Sequence, residues 1–99
     1  MGLDMYINNK SITEGDNEVA YWRKHRELHN IFEDIATDKG IKYDSFNCVP
    51  VPLTVSDIDY ILNTYKDNKE ILDDYTKEQL IHCKFLIGTG ANLEYNSWW

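Results

Sequence analysis

Leu3, Met5 and Ile7 alternate with Asp4 and Tyr6 at the start of the chain, and this period of two over Gly2 to Ile7 predicts a first strand with one apolar face. Asn8 to Asn17 is polar and contains Gly15-Asp16-Asn17, a loop signal. A helix is expected next, capped by Asp16 or Asn17, with Glu18 placed to meet the positive end of its dipole. Wound at about 100° per residue, Glu18–Ala36 gathers Tyr21, Leu28, Ile31, Phe32 and Ile35 into one apolar stripe. Arg23, Arg26, Glu27, Asn30 and Asp34 face away from that stripe. Trp22, His25, His29 and Ala36 fall on one flank of it, and Gly40 ends the element.

Phe46 to Leu53 alternates loosely, and Pro50 and Pro52 confine it to a sheet edge or an extended segment. Thr54, with Asp57 three residues on, is an N-cap pattern, and Ile58, Ile61, Leu62 and Tyr65 recur at helical spacing. Thr76-Lys77-Glu78-Gln79 has the capping-box pattern and opens a third helical piece through about Lys84. Phe85-Leu86-Ile87 reads as a buried strand and Gly88-Thr89-Gly90 as a turn. Leu93 to Trp99 reads as a last strand, paired with the one before it in a hairpin. The order β-α-β-α-α-β-β predicts an α+β fold: a small, three- to four-stranded, mostly antiparallel sheet with two to three helices packed on one face. Ninety-nine residues fit one such domain over 1–99.

Charge narrows the partners. The net charge is −7, with 17 carboxylates against 10 lysines and arginines, so the chain lacks the cationic surplus that neutralises phosphates in nucleic-acid complexes. Acidity of this size favours solubility and fits a basic protein surface. Seven tyrosines and three tryptophans supply rings that bury area while keeping a polar atom available. The N-terminus has neither a basic region nor a long apolar run, so no signal peptide is expected, and no stretch has the roughly 20 apolar residues of a membrane span. Cys48 and Cys83 are then reduced, small core residues, and the Asn9-Lys10-Ser11 sequon has no meaning. Tyr6 stands where a myristoylation signal needs Ser or Thr.

Candidate chemistry is sparse. His25, His29 and Glu33 are spaced by four residues along the expected helix, and two imidazoles one turn apart are a weak metal candidate. Arg26 follows His25, so the zinc-protease HExxH pattern is absent, and a third ligand such as Asp4, His82 or Cys83 would be required. The basic, aromatic run Tyr21-Trp22-Arg23-Lys24-His25-Arg26 spreads its cations around the helical wheel, which favours surface ion pairs over a phosphate-binding face. Gly88-Thr89-Gly90 lacks the third glycine of a dinucleotide fingerprint, so no cofactor is indicated. His82 and Cys83 are adjacent and point about 100° apart on a helix, which leaves the thiol without a base. No catalytic residue is assigned.

Met1-Gly2-Leu3-Asp4-Met5-Tyr6 and Glu18-Val19-Ala20-Tyr21-Trp22-Arg23-Lys24, with His29 and Phe32 after them, resemble a group of small phage and prophage proteins. Those proteins begin MGLDMY and carry a YWRK helix a short loop later. The likeness covers about the first third of the chain and continues as a shared layout: an extended segment, a Ser-led helix and an aromatic-rich tail. It brings no catalytic residues. It implies a bacterial cytoplasm and a protein that binds and disables a host or defence protein.

Three functions are therefore expected in order. The first is a non-enzymatic binder whose acidic, aromatic surface engages a basic host or defence protein. The second is a small enzyme or metal protein using a polar cluster of Asp4, Arg23 and His29. The third is a homo-oligomeric structural accessory. The expected interaction residues are the flank of Trp22, His25 and His29, together with the terminal rings Trp98 and Trp99.

Overall fold

The alternation at the start of the chain does become a strand. In the computed structural model, which describes residues 2–43 and 49–98, β1 spans Asp4–Asn9 and buries Met5, Ile7 and Asn9 on one face. β4, Leu93–Trp98, lies beside it and buries Leu93, Tyr95 and Ser97. β2 is Glu18–Arg23 and β3 is Val51–Pro52, and the sheet order is β2-β1-β4-β3, antiparallel throughout. Pro52 sits on an edge strand, where its missing N–H removes no ladder bond the sheet needs.

β2 corrects the expected helix over Glu18–Ala36. Residues 18–23 alternate in burial, with Ala20 and Trp22 inward and Tyr21 outward, and the helix α1 runs only from Arg26 to Asp38. The break is made at Lys24, which adopts φ 59°, a left-handed backbone that neither element tolerates. No glycine or proline marks it. Leu28, Ile31, Phe32 and Ile35 of the expected stripe are buried as predicted, whereas Tyr21 belongs to the sheet. Gly40, at φ 78°, closes α1: its N–H reaches the Thr37 carbonyl, and that of Ile41 reaches Ala36.

α2, Val55–Thr64, starts on a complete capping box. The Thr54 hydroxyl accepts from the Asp57 N–H, and the Asp57 carboxylate accepts from the Thr54 N–H. α3 spans Asp74–Gly88, and its cap is Asp73, whose carboxylate accepts from the Thr76 N–H, rather than Thr76 itself. Phe85-Leu86-Ile87 lies within α3 and is not a strand; Phe85 is 66% exposed. Its run of three apolar residues is a helix end whose carbonyls are closed by Gly90, at φ 102°, and Ala91. β4 consequently pairs with β1 and β3 instead of forming a hairpin with 85–87. Phe46 and Cys48 lie outside the described residues.

All three helices pack on the side of the sheet that carries Met5, Ile7, Ala20, Trp22, Val51, Leu93 and Tyr95, forming one buried cluster. Phe32 of α1 stacks on Tyr95 at 4.0 Å between ring centroids. The α+β class and the one-sided layering stand, with the order corrected to β-β-α-β-α-α-β. Among the described residues no helix is long and apolar enough to cross a membrane.

The register makes a strand at 18–23 testable. The Lys24 N–H bonds to the Leu3 carbonyl, so the hydrogen-bonded pairs are Leu3/Lys24, Met5/Trp22 and Ile7/Ala20. Amide exchange followed by NMR is expected to be slow at Ala20 and Trp22 and fast at Tyr21 and Arg23, whose N–H groups face the open edge. Continuous protection from Trp22 into the helix would contradict this strand.

Candidate functional site

The flank of Trp22, His25 and His29 is used inside the molecule. Trp22 is buried, and its indole N–H donates to the Thr76 hydroxyl at 2.9 Å, tying β2 to α3. His25 precedes α1, and its Nε2–H donates to the Ile71 carbonyl at 2.9 Å, with Glu27 3.7 Å from Nδ1. His29, 4% exposed, places Nδ1 2.6 Å from the Tyr95 hydroxyl, and Ser97 hydrogen-bonds to that tyrosine as well. Each of these polar side chains thus satisfies a hydrogen bond that the core would otherwise leave open. The two imidazoles bond to different partners, and among the described residues no three His, Cys, Asp or Glu side chains converge as a metal site. His82 is exposed on α3 while its neighbour Cys83 is buried, where desolvation pushes the thiol up to about 12 and leaves it inert as a nucleophile.

Asp4, Arg23 and His29 do not meet. Asp4 and Arg23 are cross-strand partners on the face of the sheet that the helices leave open, whereas His29 lies beneath the opposite face. The open face is the feature that sequence reasoning missed. The pleat places Asp4, Tyr6 and Asn8 of β1 between Arg23 and Tyr21 of β2 on one side and Glu94, Asn96 and Trp98 of β4 on the other. Directly opposed rows are Arg23–Asp4–Trp98 and Tyr21–Tyr6–Asn96. Trp98 is 61% exposed; Tyr6, Tyr21, Asp4 and Asn96 are half-buried. Trp99 lies outside the described residues.

Two bonds order this surface. The Tyr21 hydroxyl donates to Asp4 Oδ1 at 2.7 Å, and the Tyr6 and Tyr21 rings tilt together at 5.2 Å between centroids. The Arg23 guanidinium turns over Gly2 rather than onto Asp4: a methyl group at Gly2 would come within 3.3 Å of it. Among the described residues Asp4 is in no ion pair. The hydrogen bond to Asp4 raises the pKa of Tyr21, and burial followed by the charges of Asp4 and Glu18 raises that of Tyr6. The rings therefore stay neutral beside carboxylates, with the charge of Arg23 acting on Tyr21 in the opposite direction, and the Asp4 carboxylate itself suits a cation and opposes a phosphate.

Elsewhere, a cavity of about 150 Å³ between α1 and α2 is lined by Ile35, Asp38, Lys39, Asp57 and Tyr60, and the Lys39–Asp57 ion pair at 2.8 Å spans two of its walls. Ile81 and Phe85, exposed one turn apart on α3, line a shallow groove with Val19, the extra residue of a β-bulge in β2. Glu78 adds a carboxylate to that groove, and among the described residues no hydrogen bond fixes it as Tyr21 fixes Asp4. No family model, curated protein or solved structure matches this chain.

His29 gives the fold an acid limit. Burial, then the charge of Arg26, push its pKa from 6.5 down to about 4. The unfolded chain therefore takes up this proton first, so the contribution is fully present above about pH 6.5 and is lost as pH falls toward 4. Between pH 7 and 5 the loss is about 2 kcal/mol, rising to about 3 kcal/mol below pH 4. Urea unfolding of the wild type and of His29→Gln across this range is expected to show the difference, with the variant's curve flatter by that amount. Parallel curves would mean His29 titrates normally.

Proposed function

We propose that this protein is a non-enzymatic binding module that engages a basic host or defence protein in the bacterial cytoplasm. The observation carrying this reading is the open sheet face, where Tyr21 of the edge strand β2 and Tyr6 and Trp98 of the central strands β1 and β4 surround the carboxylate of Asp4. Flat faces of this kind suit protein partners: exposed rings provide area at small cost in side-chain entropy, and charge provides orientation and selectivity. The net charge of −7 adds a long-range attraction for a basic surface. The likeness of the MGLDMY and YWRK runs to phage and prophage proteins supports a host or defence protein as the target. The YWRK run of this chain lies on β2 and the turn after it, so the likeness rests on sequence and not on a helix.

Capture from bacterial lysate tests the reading. A basic protein should be retained at about 0.1 M salt and released at about 0.5 M, where screening shortens the reach of charge to a few ångströms. The double variant Tyr6→Ala/Trp98→Ala should lose that protein while keeping its circular dichroism and melting temperature within a few degrees. Retention indifferent to both salt and the double variant would refute the proposed surface.

A further inference from the structure

Resting on that reading, we infer that the open sheet face is an arginine-recognition site, taking the guanidinium of a partner side chain between the Asp4 carboxylate and the Tyr6 and Trp98 rings. The carboxylate is held in place. Tyr21 donates to Oδ1 at 2.7 Å, which fixes the side chain's rotation and leaves the second oxygen, Oδ2, for a donor from outside. Asp4 faces Trp98 directly across the β1–β4 pair, and Tyr6 follows two residues along the same face. A cation seated on the carboxylate is therefore within reach of two ring faces. The protein's own guanidinium is held away: Arg23 lies over Gly2, in space that any side chain at position 2 would take.

Guanidinium fits this arrangement better than ammonium. Its planar fork presents N–H donors to a carboxylate edge-on while its flat face stacks on an aromatic ring, and it is more weakly hydrated than a lysine head. Asn96, opposite Tyr6, and Asn8, next along β1, add amide groups at the rim, the Asn96 oxygen already accepting from the Ser97 N–H at 2.8 Å, and Glu94 adds a second negative charge two rows from Asp4. A nucleic acid strand would also find rings here, but its phosphates would meet Asp4 and Glu94.

Titration of the full chain with a blocked Gly-Gly-Arg-Gly-Gly peptide, followed by NMR, tests the assignment against the lysine and citrulline versions of the same peptide. The arginine peptide is expected to shift Asp4, Tyr6, Tyr21, Asn96 and Trp98 as one group, the lysine peptide to bind more weakly, and citrulline to have no effect. Asp4→Asn preserves size and the Tyr21 hydrogen bond, and should weaken binding about tenfold, the worth of a charged hydrogen bond. Trp98→Ala should weaken it about threefold, as should Tyr21→Phe, which keeps the charge but frees its rotation. Shifts spread evenly over other acidic positions such as Asp67, Asp73 and Asp74, or binding unchanged in Asp4→Asn, would overturn the site. So would tighter binding of oligothymidylate than of the arginine peptide. A basic partner that is retained in a salt-sensitive way yet ignores Asp4→Asn and Trp98→Ala leaves the binding function standing and removes this site. An arginine peptide that binds at Asp4 when no basic partner can be captured does the reverse.

Discussion

The pairing of β1 with β4 is the constraint on which the rest of this structure depends. These strands come from opposite ends of the described chain, yet they form the middle of the sheet, with Ile7 opposite Tyr95 and Met5 opposite Ser97. Until they meet, α1 has no ring for Phe32 to stack on and His29 has no hydroxyl to bond. Closing so long a loop is entropically costly, and the return comes only when the helices cover the finished face. The same pleat then decides what remains outside. A shift of one residue in this register would turn one of the two strands over, exposing either Ile7 with Met5 or Tyr95 with Leu93, so core and surface site are specified together.

Local signals carried much of the fold. The alternation of Leu3, Met5 and Ile7, the Thr54–Asp57 cap, the prolines at the sheet edge and the glycine after α1 are each a short-range preference that the structure keeps. The misread segments at 18–23 and 85–87 have different causes. Tyr21 and Trp22 fit a helical wheel with Leu28 and Ile31 only if the chain continues unbroken, and the break at Lys24 is a backbone state no breaker residue announces. Phe85-Leu86-Ile87 looks like a strand because it is apolar on every side. On α3 one side is simply left exposed. Helix propagation from the Asp73 cap outweighs the β preference of three residues.

The candidate site was legible in pieces but not as a surface. Asp4 and Arg23 were expected near one another, and they are; Trp98 was expected to contact something, and it stands exposed. The alternation places Tyr6 on the polar face of the first strand, but the expected helix assigns Tyr21 to its buried stripe, so the two rings could not be seen to share a surface. His29 was drawn into the same cluster on the assumption that a helix carried both it and Arg23. With Arg23 moved to a strand, the two side chains separate to opposite sides of the sheet. Trp22, His25 and His29, which attracted attention as unexplained residues beside an apolar stripe, make internal hydrogen bonds that tie β2 to α3, the start of α1 to the segment before α3, and α1 to β4.

That division of labour bears on why the open face keeps a charge at its centre. An uncovered sheet presenting only Tyr6, Tyr21 and Trp98 would be a flat apolar platform of the kind that associates without discrimination. Asp4 prevents this at little expense to the fold, since it lies on the solvent side and its hydrogen bond to Tyr21 restricts the carboxylate without burying it. Two copies brought face to face would set one Asp4 near another, an unfavourable contact between chains that each carry a net charge of −7. The same carboxylate that repels a second copy attracts a cation, and the rings beside it reward a flat one most. A single residue thus gives the surface both what it rejects and what it selects, and Gly2, by making room for Arg23 to lie aside, keeps that residue's charge from being spent within the protein.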